Sequence, residues 1–166
     1  MNNWTRGAAL VMAVAGVAVA APYKDPQGFT VTPPNGWTVT KEVPGVTVAF
    51  LGPRTAAGFT TNANVIVQAL PGNVDLKTFT SLTLQQLEAV ITGYKLVSNT
   101  KTTLGGAPAQ RLKLQGKQGK FDLYFDQVFA LKGGRAYAVT VTVPRAQANT
   151  AGPIMDQFIK SFKITR

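Results

Sequence analysis

The sequence predicts an α+β domain in which an antiparallel β-sheet is covered by helices on both faces. Three observations predict it. Short β-rich stretches bounded by Gly and Pro recur along most of the chain, and the hydrophobic spacing turns helical only at Asp75–Thr92 and from about Arg145 to Lys160. The strands between these two segments carry apolar side chains on both faces, so a single covering layer does not suffice.

The N-terminus is read first. Arg6 is followed by an apolar run from Gly7 to Val19 and by Ala18-Val19-Ala20. One cation, an apolar stretch and an A-x-A site form the pattern of a secretory signal peptide, residues 1–20. Cleavage is expected after Ala20, because cleavage after Ala21 would put Pro22 directly behind the scissile bond. The competing reading is an uncleaved anchor, but the run from Gly7 to Ala21 is shorter than the ~20 residues of a spanning helix. No Cys follows the run, so no lipid can be attached there. Residues 21–166 then form a single domain, exported to the periplasm or secreted, with no transmembrane anchor after cleavage. The chain has no cysteine at all, so its core alone must hold the fold.

Phe29-Thr30-Val31-Thr32 and Trp37-Thr38-Val39-Thr40 alternate on either side of Pro33-Pro34 and Asn35-Gly36, which predicts two strands joined by a tight turn. Val46–Phe50 is a third strand, closed by Gly52-Pro53, and Ala63–Leu70 a fourth, closed by Pro71-Gly72. Between Asp75 and Thr92, the residues Leu76, Phe79, Leu82, Leu87, Val90 and Ile91 form a helical stripe, which reads as core. Asp75 or Asn73 can cap its start, and Gly93 stands just past its end. Strands return at Tyr94–Asn99, Ala109–Gln115, Lys120–Leu131 and Arg135–Val143. Tight turns around Gln118-Gly119 and at Gly133-Gly134 make the last three antiparallel. The Gly133-Gly134 loop sets Leu131 opposite Ala136, Phe129 opposite Ala138 and Val128 opposite Val139. Ile154, Met155, Phe158 and Ile159 give the second helix its apolar face, and Pro153 either starts or kinks it. Ser161–Ile164 closes the chain as a short strand.

Charge and chemistry narrow the function. The chain carries 17 Lys and Arg against seven acids, a net charge of +10, one unit less once Arg6 leaves with the leader. Such a surface favours anionic partners. The chain has no His and no Cys, which removes the usual general base, thiol nucleophiles, His/Cys metal sites and every Ser-His triad. Asp122 and Asp126 share a strand face but stand roughly 13 Å apart, too far to share a proton. Arg111, Lys113, Gln115 and Lys117 alternate with Leu112 and Leu114 and so share one face. A two-residue loop at Gln118-Gly119 sets Arg111 opposite Asp126; a four-residue loop sets Lys113 opposite Asp122. The candidate anion- or partner-binding residues are therefore Arg111, Lys113, Lys117 and Lys120, whichever of the first two is left unpaired. Ser98-Asn99-Thr100-Lys101 fits S-x-x-K, but that motif belongs at the start of a buried helix and here ends a strand. Phe29, Trp37 and Tyr137 read as core, so nucleic-acid binding is not expected.

The order of elements, with Phe29-x-Val31-x-x-Pro34-x-x-Trp37, Leu104-Gly105-Gly106-Ala107-Pro108-Ala109, Arg135-x-Tyr137 and Ser161-Phe162, resembles the PsbP-like superfamily. It is also similar to exported bacterial proteins of the DcrB and LpqN types. The resemblance covers nearly all of the mature chain and implies an α/β/α sandwich with no enzyme activity and no cofactor. Characterised relatives are binding or assembly factors: a photosystem II extrinsic subunit, a Ran-binding nuclear factor and envelope lipoproteins. Unlike the lipoproteins, this chain lacks a lipobox Cys, and it has no His for the metal sites proposed in photosynthetic members. The expectation is a non-enzymatic exported domain that recognises an envelope protein or an anionic envelope component through its basic surface. The alternatives are a carrier of apolar small molecules with a pocket between sheet and helix, and, least favoured, a serine hydrolase using Ser98 and Lys101.

Overall fold

The computed structural model describes residues 20–166, so the expected signal peptide, residues 1–20, and its expected cleavage after Ala20 lie outside or at the edge of the described residues. Strands β1 (Tyr23–Asp25), β2 (Phe29–Val31), β3 (Thr38–Thr40), β4 (Val48–Arg54) and β5 (Thr60–Ala69) precede helix α1 (Leu76–Val90). Then come β6 (Thr92–Leu104), β7 (Ala107–Gln118), β8 (Phe121–Lys132) and β9 (Arg135–Pro144). A 3-10 turn (Arg145–Gln147), helix α2 (Ala148–Ser161) and β10 (Lys163–Ile164) complete the chain. Seven strands form one antiparallel sheet in the order β3-β4-β5-β9-β8-β7-β6, and β1, β2 and β10 form a second, three-stranded sheet. No helix among the described residues is long and apolar enough to cross a membrane.

The two strands expected to form the first hairpin lie in different sheets. Trp37 N–H donates to the Pro34 carbonyl, so the turn is present. Pro33 and Pro34 have no N–H to give a ladder, and Thr32 N–H is taken by Ser161 Oγ at the end of α2. Hence β2 pairs with β1 and β10, while β3 pairs with β4. Strand β4 does not stop at Gly52-Pro53 but passes through it with a register shift between Leu51 and Arg54. Trp37 lies so close to Gly52 that a Cβ there would meet the indole at 2.5 Å.

Two hydrophobic clusters divide the sheet. Val128 and Ala130 of β8, with Val139, Val141 and Val143 of β9, gather round Met155, Phe158 and Ile159 of α2. The intervening residues Leu123, Phe125 and Phe129, with Leu112 and Leu114 of β7, gather round Leu76, Phe79, Leu84 and Leu87 of α1. Side chains on a strand alternate between faces, which is why neighbours in sequence join different clusters. Phe29 and Tyr137 are buried as expected. The α1 stripe differs from the expected one in three places: Leu82 and Val90 are exposed, and Leu84 packs instead. Leu82 stands six residues past Leu76 and so on the far side of a 3.6-residue turn. Asp75 caps the helix, its carboxylate accepting from Thr78 N–H at 2.7 Å. At the other end Ile91 seats where a Cβ on Gly116 would clash with its Cγ2, so only glycine admits this closure.

The Gly133-Gly134 loop sets Leu131, Phe129 and Val128 opposite Ala136, Ala138 and Val139, as the sequence predicts. Helix α2 begins at Ala148, so Pro153 lies inside it rather than at its start. Ile154, expected on the apolar face, is exposed. Ser161 ends α2, and only Lys163 and Ile164 form the last strand, against β2.

Candidate functional site

The β6–β7–β8 end of the sheet carries the candidate residues. Leu112 and Leu114 turn inward towards α1 and are buried, which forces Arg111, Lys113, Gln115 and Lys117 onto the opposite face. The register there differs from both expected alternatives. The loop is Gly119-Lys120, so Lys113 lies opposite Asp126, Lys117 opposite Asp122 and Arg111 opposite Val128. Positive φ falls on Gly119, at 57°, the first loop position, as a II′ turn requires. The expected loop had placed the glycine second.

Arg111 nevertheless pairs with Asp126, reaching it diagonally across the ladder. Its Nε donates to Oδ1 at 2.8 Å and its Nη2 to Oδ2 at 2.5 Å. Nη2 also meets Asp156 Oδ1 of α2 at 2.5 Å. Asp126 is fully buried, whereas the Asp156 side chain is 44% exposed. Hydrogen bonding to Asp126, against the opposing effect of burial, raises the Arg111 pKa above its ordinary value. The bond from Arg111 holds Asp156 below the usual carboxylate range, with Lys113 and Lys160 adding to it. Burial, then the charge of Asp126, pushes the Tyr124 phenol up.

Because Arg111 occupies both oxygens of Asp126, Lys113 forms no ion pair among the described residues, although it stands directly opposite that acid. It opens into a cleft of about 430 Å³ between this face and the start of α2, where Arg145, Asn149 and Tyr124 also contribute. The other two candidates stand apart from it. Lys117 is exposed near the hairpin end, and Lys120, in the turn, sits over the Phe121 ring at 5.3 Å. Sequence reasoning missed Arg145 and the partnership of Asp156. Arg145 opens the 3-10 turn just past β9, and Asp156 is brought in by the docking of α2; no local pattern announces either.

Ser98 and Lys101 lie three residues apart on β6, so they project to opposite faces of an extended strand. Ser98 is the cross-strand partner of Lys113 instead. A second groove, of about 690 Å³, runs between α1 and the β6–β7 edge, with Leu76, Leu84, Pro108 and Ala109 among its walls and Lys77 and Lys101 at its rim.

Solved structures share this fold. Cyanobacterial PsbP (CyanoP) from Synechocystis sp. PCC 6803 is 19% identical, the match covering 93% of this chain and 98% of that one, at a TM-score of 0.66. LpqN, described as involved in cell envelope biogenesis of Mycobacterium tuberculosis, is 16% identical over 88% of this chain and 90% of its own, at 0.67. The Ran-binding protein Mog1p of Saccharomyces cerevisiae is 13% identical over 83% and 90%, at 0.57. The fold is thus PsbP-like: an α+β arrangement of a seven-stranded antiparallel sheet and two helices. No curated protein matches the chain in sequence. The DcrB family model matches residues 39–161, a span from within β3 to the end of α2 that takes in every residue of the Arg111 cleft, and the chain therefore belongs to the DcrB family.

Proposed function

We propose that this chain is an exported, non-enzymatic binding domain that recognises a partner protein or an anionic envelope component through the basic surface of the β6–β7 hairpin. In this reading residues 1–20 are removed after Ala20 and the mature domain is released. A helix then covers each face of the sheet, α1 over Leu112 and Leu114 and α2 over Val139 and Val141. The observation that carries the reading is Lys113, which faces an open cleft beside Arg145 with no carboxylate bound to it among the described residues. A lysine left unpaired at the wall of a cleft is available to an incoming anion. The missing His and Cys, and the placement of Ser98 and Lys101 on opposite strand faces, favour binding over catalysis. LpqN, a structural neighbour tied to envelope biogenesis, lends the envelope setting.

The test is retention of the purified domain on phosphatidylglycerol vesicles and on cell-wall polymer, with an envelope pull-down in parallel. Salt-sensitive retention that Lys113→Glu weakens is expected. Absence of both retention and a captured partner ends the reading.

The α1 groove favours a second reading, a carrier of apolar small molecules. Native mass spectrometry of the protein from its own host is expected to find a bound molecule on that reading; an empty protein ends it.

A further inference from the structure

Strand β6 is the longest of the sheet and forms its edge, paired on one side by β7 and on the other by nothing among the described residues. We infer that the segment Ser98–Leu104 of β6 accepts an extended acidic segment of a partner protein as an eighth strand. This rests on the reading of the β6–β7 hairpin as the binding surface and specifies the form in which the partner arrives.

The backbone provides the first argument. Register shifts break β6 between Thr92 and Lys95 and between Leu96 and Ser98. From Ser98 opposite Lys113 to Leu104 opposite Ala107 the pairing is uninterrupted. That stretch contains no proline and no acid, so its outward N–H and C=O groups form a regular, open ladder of the kind that extended peptides complete. Leu96 and Val97, exposed beside it, add apolar contact at one end.

Charge selects the occupant. Lys95 and Lys101 on β6, with Lys113 and Lys117 on β7, form no ion pair among the described residues, and neither strand carries an Asp or Glu. Edge-to-edge pairing of two copies would bring these cations together, and like charges across a ladder repel. The same field attracts a segment rich in Glu or Asp. Side-chain size then permits the contact. On the face shared with Arg111 and Lys113, the uninterrupted stretch of β6 presents Ser98, Thr100 and Thr102 before the buried Leu104. Adjacent strands lie about 4.8 Å apart, so a new strand would stand roughly 10 Å from β7. Lys113 can extend over the short Ser98 to meet a carboxylate there, while Lys101 meets one directly on the opposite face.

The experiment uses the full chain and two probes: an eight-residue peptide alternating Glu and Thr, and the same peptide methylated at alternate backbone nitrogens, which keeps the charge and loses donors. Amide hydrogen exchange is followed by NMR. The unmodified peptide is expected to slow exchange within Ser98–Leu104. It should bind about tenfold tighter than the methylated one, as one or two backbone hydrogen bonds imply. Lys101→Glu and Lys113→Gln, neither of which breaks an ion pair among the described residues, are each expected to weaken it. Failure of the unmodified peptide to bind, or protection confined to other strands, overturns the proposal. Concentration-dependent protection of β6 without peptide also overturns it, in favour of a second copy. Equal, salt-sensitive binding of both peptides overturns strand addition while leaving the basic-surface reading standing.

Discussion

Arg111 grips Asp126 through two hydrogen bonds although the residue directly across the ladder from that carboxylate is Lys113. Asp126 has no exposure at all, so the guanidinium neutralises a charge that water cannot reach. Removing one partner of a buried pair costs about 3–5 kcal/mol, because the other stays buried and uncompensated. Arg111→Met is therefore expected to lower unfolding stability by that amount in urea titration. The double variant Arg111→Met, Asp126→Leu should recover most of it. An additive loss in the double variant contradicts this account.

Lys113 behaves differently because it pairs with no acid among the described residues. Lys113→Gln is expected to leave the unfolding midpoint nearly unchanged while weakening attachment to anionic vesicles by about fivefold, near the ~1 kcal/mol of one basic residue at an anionic surface. Vesicle co-sedimentation over a salt series measures it. An unchanged salt slope places the contact elsewhere.

Acid sensitivity should centre on Asp25. Burial alone would raise this carboxyl, but hydrogen bonds from Gln27 N–H, Tyr23 and Lys41 outweigh it and hold it below 3.8. A depressed folded value contributes stability that is present above the unfolded value and lost as pH falls through the folded one. The urea midpoint should accordingly hold to about pH 4 and decline below it. Asp25→Asn should start less stable at neutral pH and decline less steeply. Parallel pH profiles for the two proteins would show that Asp25 is not the group responsible.

Gly116→Ala inserts a methyl against Ile91 Cγ2. Overpacking of this kind costs about 1–3 kcal/mol. Thermal unfolding should show the loss, and Ile91→Ala in the same chain should relieve part of it. Asp75→Ala, which removes the acceptor for Thr78 N–H, should cost about 1 kcal/mol as a lost helix cap.

How far the sequence carried depended on how much of each feature is local. The β8–β9 register was legible because two adjacent glycines leave one place for a two-residue loop. The β7–β8 register was not, since Gln118-Gly119-Lys120 offers a single glycine, which can stand first or second in the turn. Moving it by one place shifts every cross-strand partner by two residues, which is why Lys113 and not Arg111 faces Asp126. The alternation of Arg111, Lys113 and Lys117 with Leu112 and Leu114 identified the right face of β7. Asp156 could not be foreseen, because α2 brings it to Arg111 from 45 residues away along the chain, and Arg145 enters through the turn that leads from β9 into α2. The double proline at Pro33-Pro34 signalled a turn, but which sheet each flanking strand joins is decided by the C-terminus.

That dependence sets an order of assembly. Strand β2 is paired by β1 on one side and by Lys163–Ile164 on the other, and Thr165 N–H donates to the Gly28 carbonyl. The first strands of the domain therefore wait for β10: until the chain has been made through Phe162, Phe29 lacks the ring that stacks on it at 5.3 Å. A free chain that ends just before Phe162 should hold the seven-stranded sheet without its small companion, with the first strands still open to protease.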